Sequence, residues 1–318
     1  IEDSPPSRGL YISAKAKEKL KQPFSNIGII LPARFSDFMD ERVEYRLSYM
    51  KGIIDRSAEL EYSTMMVNLP PVNSSEEYIS TWKKHVIDRL AGIIHLGDRL
   101  EENDKPLKMI FQDKNIPQLF ISGYPDLPHI GSVSSDFMPG ALALAELLVE
   151  HGHKKVGLIL EKQMNIRKII FEYEALSRPK IMKKALSSCG VNVPEKWIME
   201  NGSCETSLRK QLHHQFKSEE TPTALCCMND VIANSAIKIL KEIGLKVPED
   251  VSVTGVNSIP KSDDIMPLTS IRLPFYSIGS RALDTLHDYI ENGISGSNRE
   301  KVQPASLSIK SSVGNAKN

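Results

Sequence analysis

The chain has 318 residues, 41% of them hydrophobic, and 40 basic against 40 acidic side chains give a formal net charge of +0. That length accommodates two ordinary domains, and the charge balance argues against a surface that holds nucleic acid by itself, because such surfaces are basic. No apolar run reaches the length of a membrane span, and Cys189, Cys204, Cys226 and Cys227 have neither metal-ligand nor redox spacing, which fits reduced thiols in a cytoplasmic protein.

Residues 1–25 are first Pro- and Ser-rich, then Lys-rich, and read as a linker or the remnant of a DNA-binding domain. From Asn26 an α/β rhythm begins. Ile27 to Leu31 is a buried strand, Asp40 to Leu60 an amphipathic helix, and Tyr62 to Leu69 a strand stopped by Pro70-Pro71. A helix over 75–90 follows, with Asn73-Ser74 as its expected cap. Ala91 to Leu96 is a strand, Lys105 to Lys114 a helix, Pro117 to Ser122 a strand, and Gly131 to Asp136 a short strand or extended crossover.

The second half repeats this order. Pro139 to Glu150 is a helix stopped at Gly152, and Lys155 to Leu160 a strand. Residues 161–177 are ambiguous, with a helical insertion expected over 166–176. A helix over 178–188, a strand over 196–201 and a helix over 207–216 come next. Ala224 to Met228 is then a strand leading into a helix that Asp230 is expected to cap, that carries Ile232, Ala236, Ile239, Leu240 and Ile243 at helical spacing, and that Gly244 stops. The strand Val251 to Val256 completes a βαβ unit. Adjacent Cys226 and Cys227 are expected on opposite faces of their strand. Ser270 to Leu273 is another crossover strand, 278–292 a helix, and 301–311 a final strand. Alternation of this kind defines an α/β fold with parallel sheets, and the strands are too many for one sheet, so two are expected.

Catalytic signatures are missing: there is no GxxxxGK, GxGxxG, GxSxG or HExxH. The sequence therefore predicts a non-enzyme with no metal and no cofactor. His151 and His153 flank Gly152 and read as a helix stop rather than a metal site. The polar residues Asp136, Arg178, Asn229, Asp230 and Asn257 fall at or near strand ends, with Arg34, Phe35 and Tyr124 contributed by the first half. Singly, each has a plain alternative: Asp230 as a cap, Asn229 as a turn residue, Arg178 in an ion pair. Together they form a small-ligand cleft at the carboxyl ends of strands. Asn, Asp and Arg match the donors and acceptors of a sugar, and an aromatic ring matches its face.

Four segments resemble the effector-binding core of the lactose-repressor/galactose-repressor (LacI/GalR) regulators: SSDFMPGALALAELLVEHGHKKVGLIL (134–160), LSRPKIMKKAL (176–186), TALCCMNDVIANSAIKILKEIGLKVPEDVSVTGVN (223–257) and PLTSIRLPFYSIGSRALDTL (267–286). The resemblance covers about residues 26–311. It implies a periplasmic-binding-protein-like fold of two Rossmann-like subdomains joined by three crossovers, near Asp136, at 270–273 and after Gly293. The subdomains would be 26–136 plus 272–293, and 137–271 plus 301–311. It also implies that Arg178 holds sugar hydroxyls beside Asn229 and Asp230. Two departures stand out: Asn257 replaces the family's usual Asp, and Pro179-Lys180-Ile181 replaces a Gly-aromatic pair.

The functional expectation is a cytoplasmic regulator core that binds a sugar-like effector between its subdomains and alters operator binding allosterically. Operator DNA would be read by an N-terminal domain not in this chain. SRGLYIS (7–13) resembles the end of a GntR-type wing, which would make that domain a winged helix; the alternative is a LacI-type head and hinge. A homodimer is expected, with the helices at 40–60 and 278–292 as candidate surfaces. The alternative is the solute-binding protein of a sugar transporter.

Overall fold

Strand β1 (Asn26–Ile30) buries Ile27, Ile29 and Ile30, so both of its faces are covered, as a strand inside a parallel sheet requires. The structure is a computed structural model describing residues 25–31, 43–96, 104–125, 127–161, 171–201, 205–258, 265–293 and 299–317. Around β1 are β2 (Ser63–Val67), β3 (Gly92–His95), β4 (Gln118–Ile121), β6 (Ile130–Asp136) and β13 (Arg299–Pro304). They form a six-stranded sheet in the order β13-β6-β4-β3-β1-β2, parallel throughout.

Helices α1 (Val43–Glu59), α2 (Glu76–Val86) and α3 (Lys105–Gln112) make the connections between β1, β2, β3 and β4. Ser75, rather than Asn73 or Ser74, caps α2 by accepting from the Tyr78 N–H. Helix α8 (Phe275–Asn292) returns late in the chain to pack on α1 and this first sheet. Two glycines permit that crossing. A Cβ on Gly52 would lie 2.1 Å from the Tyr276 carbonyl oxygen, and one on Gly279 would lie 2.1 Å from that of Tyr49. Beside them the Tyr49 and Phe275 rings meet edge to face at 5.1 Å.

The second sheet holds β7 (Val156–Glu161), β9 (Ile198–Asn201), β10 (Ala224–Cys227), β11 (Ser252–Asn257), β12 (Thr269–Arg272) and β14 (Ser306–Ser308). Its order is β14-β12-β11-β10-β7-β9. Only β14 runs antiparallel to its neighbour. Helices α4 (Met138–Glu150), α5 (Glu174–Ser188), α6 (Glu205–Gln215) and α7 (Asp230–Glu242) belong to this half. Cys226 joins the core cluster with Met182 and Leu186 of α5, whereas Cys227 joins that of Leu208, Leu212 and Leu240. The two thiols therefore face opposite layers, and burial raises both of their pKa values, to about 11 for Cys226.

The chain passes between the sheets where β6 leads to α4, where β12 leads to α8, and between β13 and β14. The expected single strand over 301–311 is thus divided. Its first part pairs with β6 in the first sheet, and Ser306–Ser308 pairs with β12 in the second. Of the helical insertion expected over 166–176, residues 166–170 lie outside the described residues, 171–173 form a short strand, β8 (Phe171–Tyr173), and α5 begins at Glu174 rather than Arg178. β8 pairs with β5 (Gly123–Pro125) in a separate two-stranded ribbon. The wing-like residues 7–13 lie outside the described residues.

Candidate effector site

Asn229 stands directly between β10 and α7, and its extended backbone makes it the N-cap. Its Oδ1 accepts the Ile232 N–H at 2.8 Å, and its Nδ2 donates to Glu161 Oε2 at 3.3 Å. The cap expected at Asp230 is therefore one residue earlier. Asp230 is turned onto the sheet instead, where its Oδ1 accepts the Ser270 hydroxyl at 2.6 Å. The Ser258 N–H reaches the same hydroxyl at 3.1 Å. Gly255 makes this possible, because a Cβ there would lie 2.2 Å from Asp230 Oδ1. Asp230 thus ties the start of α7 to β11 and β12.

Asn257, the last residue of β11, has φ 107, a conformation Asn tolerates better than most side chains. Its Oδ1 lies 3.5 Å from Arg178 Nη1, a long contact. Arg178, on α5, holds its guanidinium 5.8 Å from the centroid of the buried Phe137 ring. Its Nε is buried and has no hydrogen-bond partner among the described residues. A buried, charged donor left unpaired costs about 1–3 kcal/mol or more.

Asp136 ends β6. Its Oδ1 accepts from the Met138 N–H at 3.2 Å, and its carbonyl accepts from the Ala305 N–H at 2.8 Å. It therefore fastens two crossings between the sheets. Tyr124 falls in β5, opposite Glu172. Its side chain, together with Arg34 and Phe35, lies outside the described residues. The structure thus brings Arg178 and Asn257 together and joins Asn229 to Glu161, while giving Asp230 and Asp136 structural tasks. Sequence reasoning missed Glu161 and Phe137. Glu161 was findable, being a charged residue at the end of the apolar run 156–160, the same signal that drew attention to Asn229.

Both histidines near Gly152 contact protein atoms, and among the described residues no group of three metal-competent side chains is found. His151 Nδ1 meets the Leu147 carbonyl at 2.9 Å. His153 lies among Thr223 Oγ1, the Gly314 carbonyl and Ser252 Oγ at 2.9–3.0 Å, bolting the C-terminal segment to the second sheet. Another concavity, of about 500 Å³, is lined by Tyr62, Lys83, Leu90, Ile116 and Ile290. It sits near the amino ends of β3 and β4, the opposite end from where open parallel sheets bind ligands. Its Lys83 is already held at 2.5 Å by both Asp88 and Asp113.

Two largely parallel sheets joined by three crossings, with polar residues at the strand ends, define a periplasmic-binding-protein-like fold. The family described as "Periplasmic binding protein-like domain" matches residues 145–313. The chain belongs to that family, as an effector-binding core of the LacI/GalR type. It is 26% identical over 285 residues to the HTH-type transcriptional repressor PurR of Aliivibrio salmonicida, covering 88% of this chain and 79% of that protein. It is 29% identical over 231 residues to PurR of Pasteurella multocida, covering 72% and 66%. Among solved structures it resembles a putative LacI regulator from Bacillus cereus subsp. cytotoxis (TM-score 0.71, 22% identity, 92% of this chain and 100% of that one). It also resembles the Lac repressor dimer bound to operator and the anti-inducer ONPF (TM-score 0.69, 21% identity, 96% and 100%). A third likeness is to the CelR–cellobiose complex (TM-score 0.71, 17% identity, 95% and 91%). Among the described residues no helix is long and apolar enough to cross a membrane.

Proposed function

We propose that this chain is the sensing core of a cytoplasmic transcription regulator. In this reading the core binds a small uncharged sugar between its halves and thereby changes how a separate N-terminal domain engages operator DNA. The observation that carries the reading is the unpartnered, buried Nε of Arg178 beside the Asn257 amide. A ligand hydroxyl there would relieve a donor that no described residue satisfies. Glu161 and Asn229 add an acceptor and a donor on the same side. The one aromatic ring described at the site, Phe137, is 1% exposed under the guanidinium and offers no free face to stack a purine base.

The halves in this reading are 26–136 with 272–293, joined by 299–304, and 137–271 with 306–317. Ligand held between them favours one relative arrangement by its differential affinity for the two states. The repressor names of the relatives support a regulator over a transporter's solute-binding protein of the same fold. A homodimer is part of the proposal. Leu47 and Ile54 on α1 and Tyr276 on α8, two helices packed together in the first half, are exposed apolar side chains that a second copy would cover.

The test is a thermal-shift screen of pentoses, hexoses, cellobiose, phosphorylated sugars and purines. A ligand that binds only the native state raises the melting temperature. A neutral sugar should do so. A shift with purines alone would contradict the sugar assignment.

A further inference from the structure

The β5–β8 ribbon joins the two halves without any covalent crossing. β5 is rooted in the first half: Ser122, at φ 58, turns the chain out of β4. The Ser122 N–H donates to the Val133 carbonyl at 2.9 Å, and its hydroxyl meets the Tyr49 hydroxyl at 2.9 Å. β8 is rooted in the second half. It runs without a loop into α5, whose Met182, Ala185 and Leu186 are wholly buried and which packs against α4 of that half. Between them Gly123 pairs with Tyr173, Tyr124 with Glu172 and Pro125 with Phe171, antiparallel.

Two properties follow from this placement. A two-stranded ribbon this short is marginal in water by itself, so it can part while both six-stranded sheets stay intact. Arg178 also lies on the helix that β8 enters, little more than one helical turn after Tyr173. Any movement of β8 is therefore passed to Arg178 through continuous helical backbone.

We propose that the β5–β8 ribbon is a releasable latch across the cleft: paired, it holds the two halves closed over Arg178, and it must part before they open. The proposal concerns the gate and not the ligand, so it stands or falls apart from the sugar assignment.

The test pairs Gly123→Cys with Tyr173→Cys, which face each other in register. A Cβ on Gly123 meets nothing nearer than Phe120 Cδ1 at 3.4 Å. Opposed antiparallel positions suit a disulfide. The readout is the rate at which phenylglyoxal modifies Arg178 in ligand-free protein, followed by peptide mass spectrometry. The latch predicts that the disulfide forms, that the oxidised protein is modified at least tenfold more slowly than the same protein reduced, and that Glu172→Pro is modified faster than wild type. Failure of the disulfide to form, or equal rates in the oxidised and reduced forms, would overturn it. If Glu172→Pro does not fold, the redox pair decides alone, because both of its states are one polypeptide.

Discussion

The Asp230 carboxylate accepts the Ser270 hydroxyl at 2.6 Å, a contact between residues 40 positions apart that leaves helix capping to Asn229. The two neighbours therefore stabilise different things. Asn229→Ala should cost about 1 kcal/mol, the value of a lost N-cap. Asp230→Ala should cost about 2 kcal/mol, because a charge-assisted hydrogen bond is lost and Ser270 is left short of an acceptor. Urea denaturation measures both, and equal losses would argue against this division of labour.

The crossing of α1 over α8 depends on two missing side chains. Gly52→Ala and Gly279→Ala would each gain helix propensity, worth about 1 kcal/mol. Each also drives a Cβ to 2.1 Å from a backbone oxygen on the other helix, which cannot be relieved by turning a side chain. A net loss of about 2 kcal/mol or more is expected for each. A stabilised variant in thermal denaturation would show that the helices pack less closely.

His95 should make stability depend on acid. It is buried, stacked on Phe120 at 4.4 Å, and its Nε2 donates to Gln118 Oε1 at 3.1 Å. The donor assignment follows because the Gln118 amide nitrogen is committed to the Ile110 and Asp113 carbonyls. Burial pushes its pKa down from 6.5 to about 4, and the Gln118 contact opposes this only partly. Below pH 6.5 the unfolded chain binds a proton that the folded chain refuses. The contribution is therefore whole above pH 6.5 and is lost as pH falls toward 4, by roughly 3 kcal/mol in all. Urea midpoints of wild type and His95→Phe, compared at pH 7 and pH 5, check this; the variant should lose less.

Much of the architecture is legible in local sequence because local chemistry fixes it. Gly152, Gly244 and Gly293 stop helices at φ values of 78–86, where a glycine costs least. Cys226 and Cys227 fall on opposite faces because alternation allows nothing else. What the sequence hides is set by distant partners. Asn229 and Asp230 are both competent caps, and Ser270 with Gly255 decides between them. The stretch 301–311 reads as one strand, yet its two ends pair with β6 and β12 in different sheets. β8 is only three residues, too short for its apolar alternation to announce a strand, and it exists as one through its pairing with β5. At the site, the polar strand ends are legible, but which of them fasten the fold, as Asp230 and Asp136 do, is not.

The Arg178 side chain gives the most direct test of the central claim. Calorimetric titration of wild type and Arg178→Ala, with the sugar that most raises the melting temperature, compares the site with and without its buried donor. The prediction is a loss of at least tenfold in affinity, or about 1.4 kcal/mol, with the variant's ligand-free stability unchanged or higher because an unpaired Nε has been removed. Wild-type affinity in the folded variant would contradict the assignment of this cleft as the effector site.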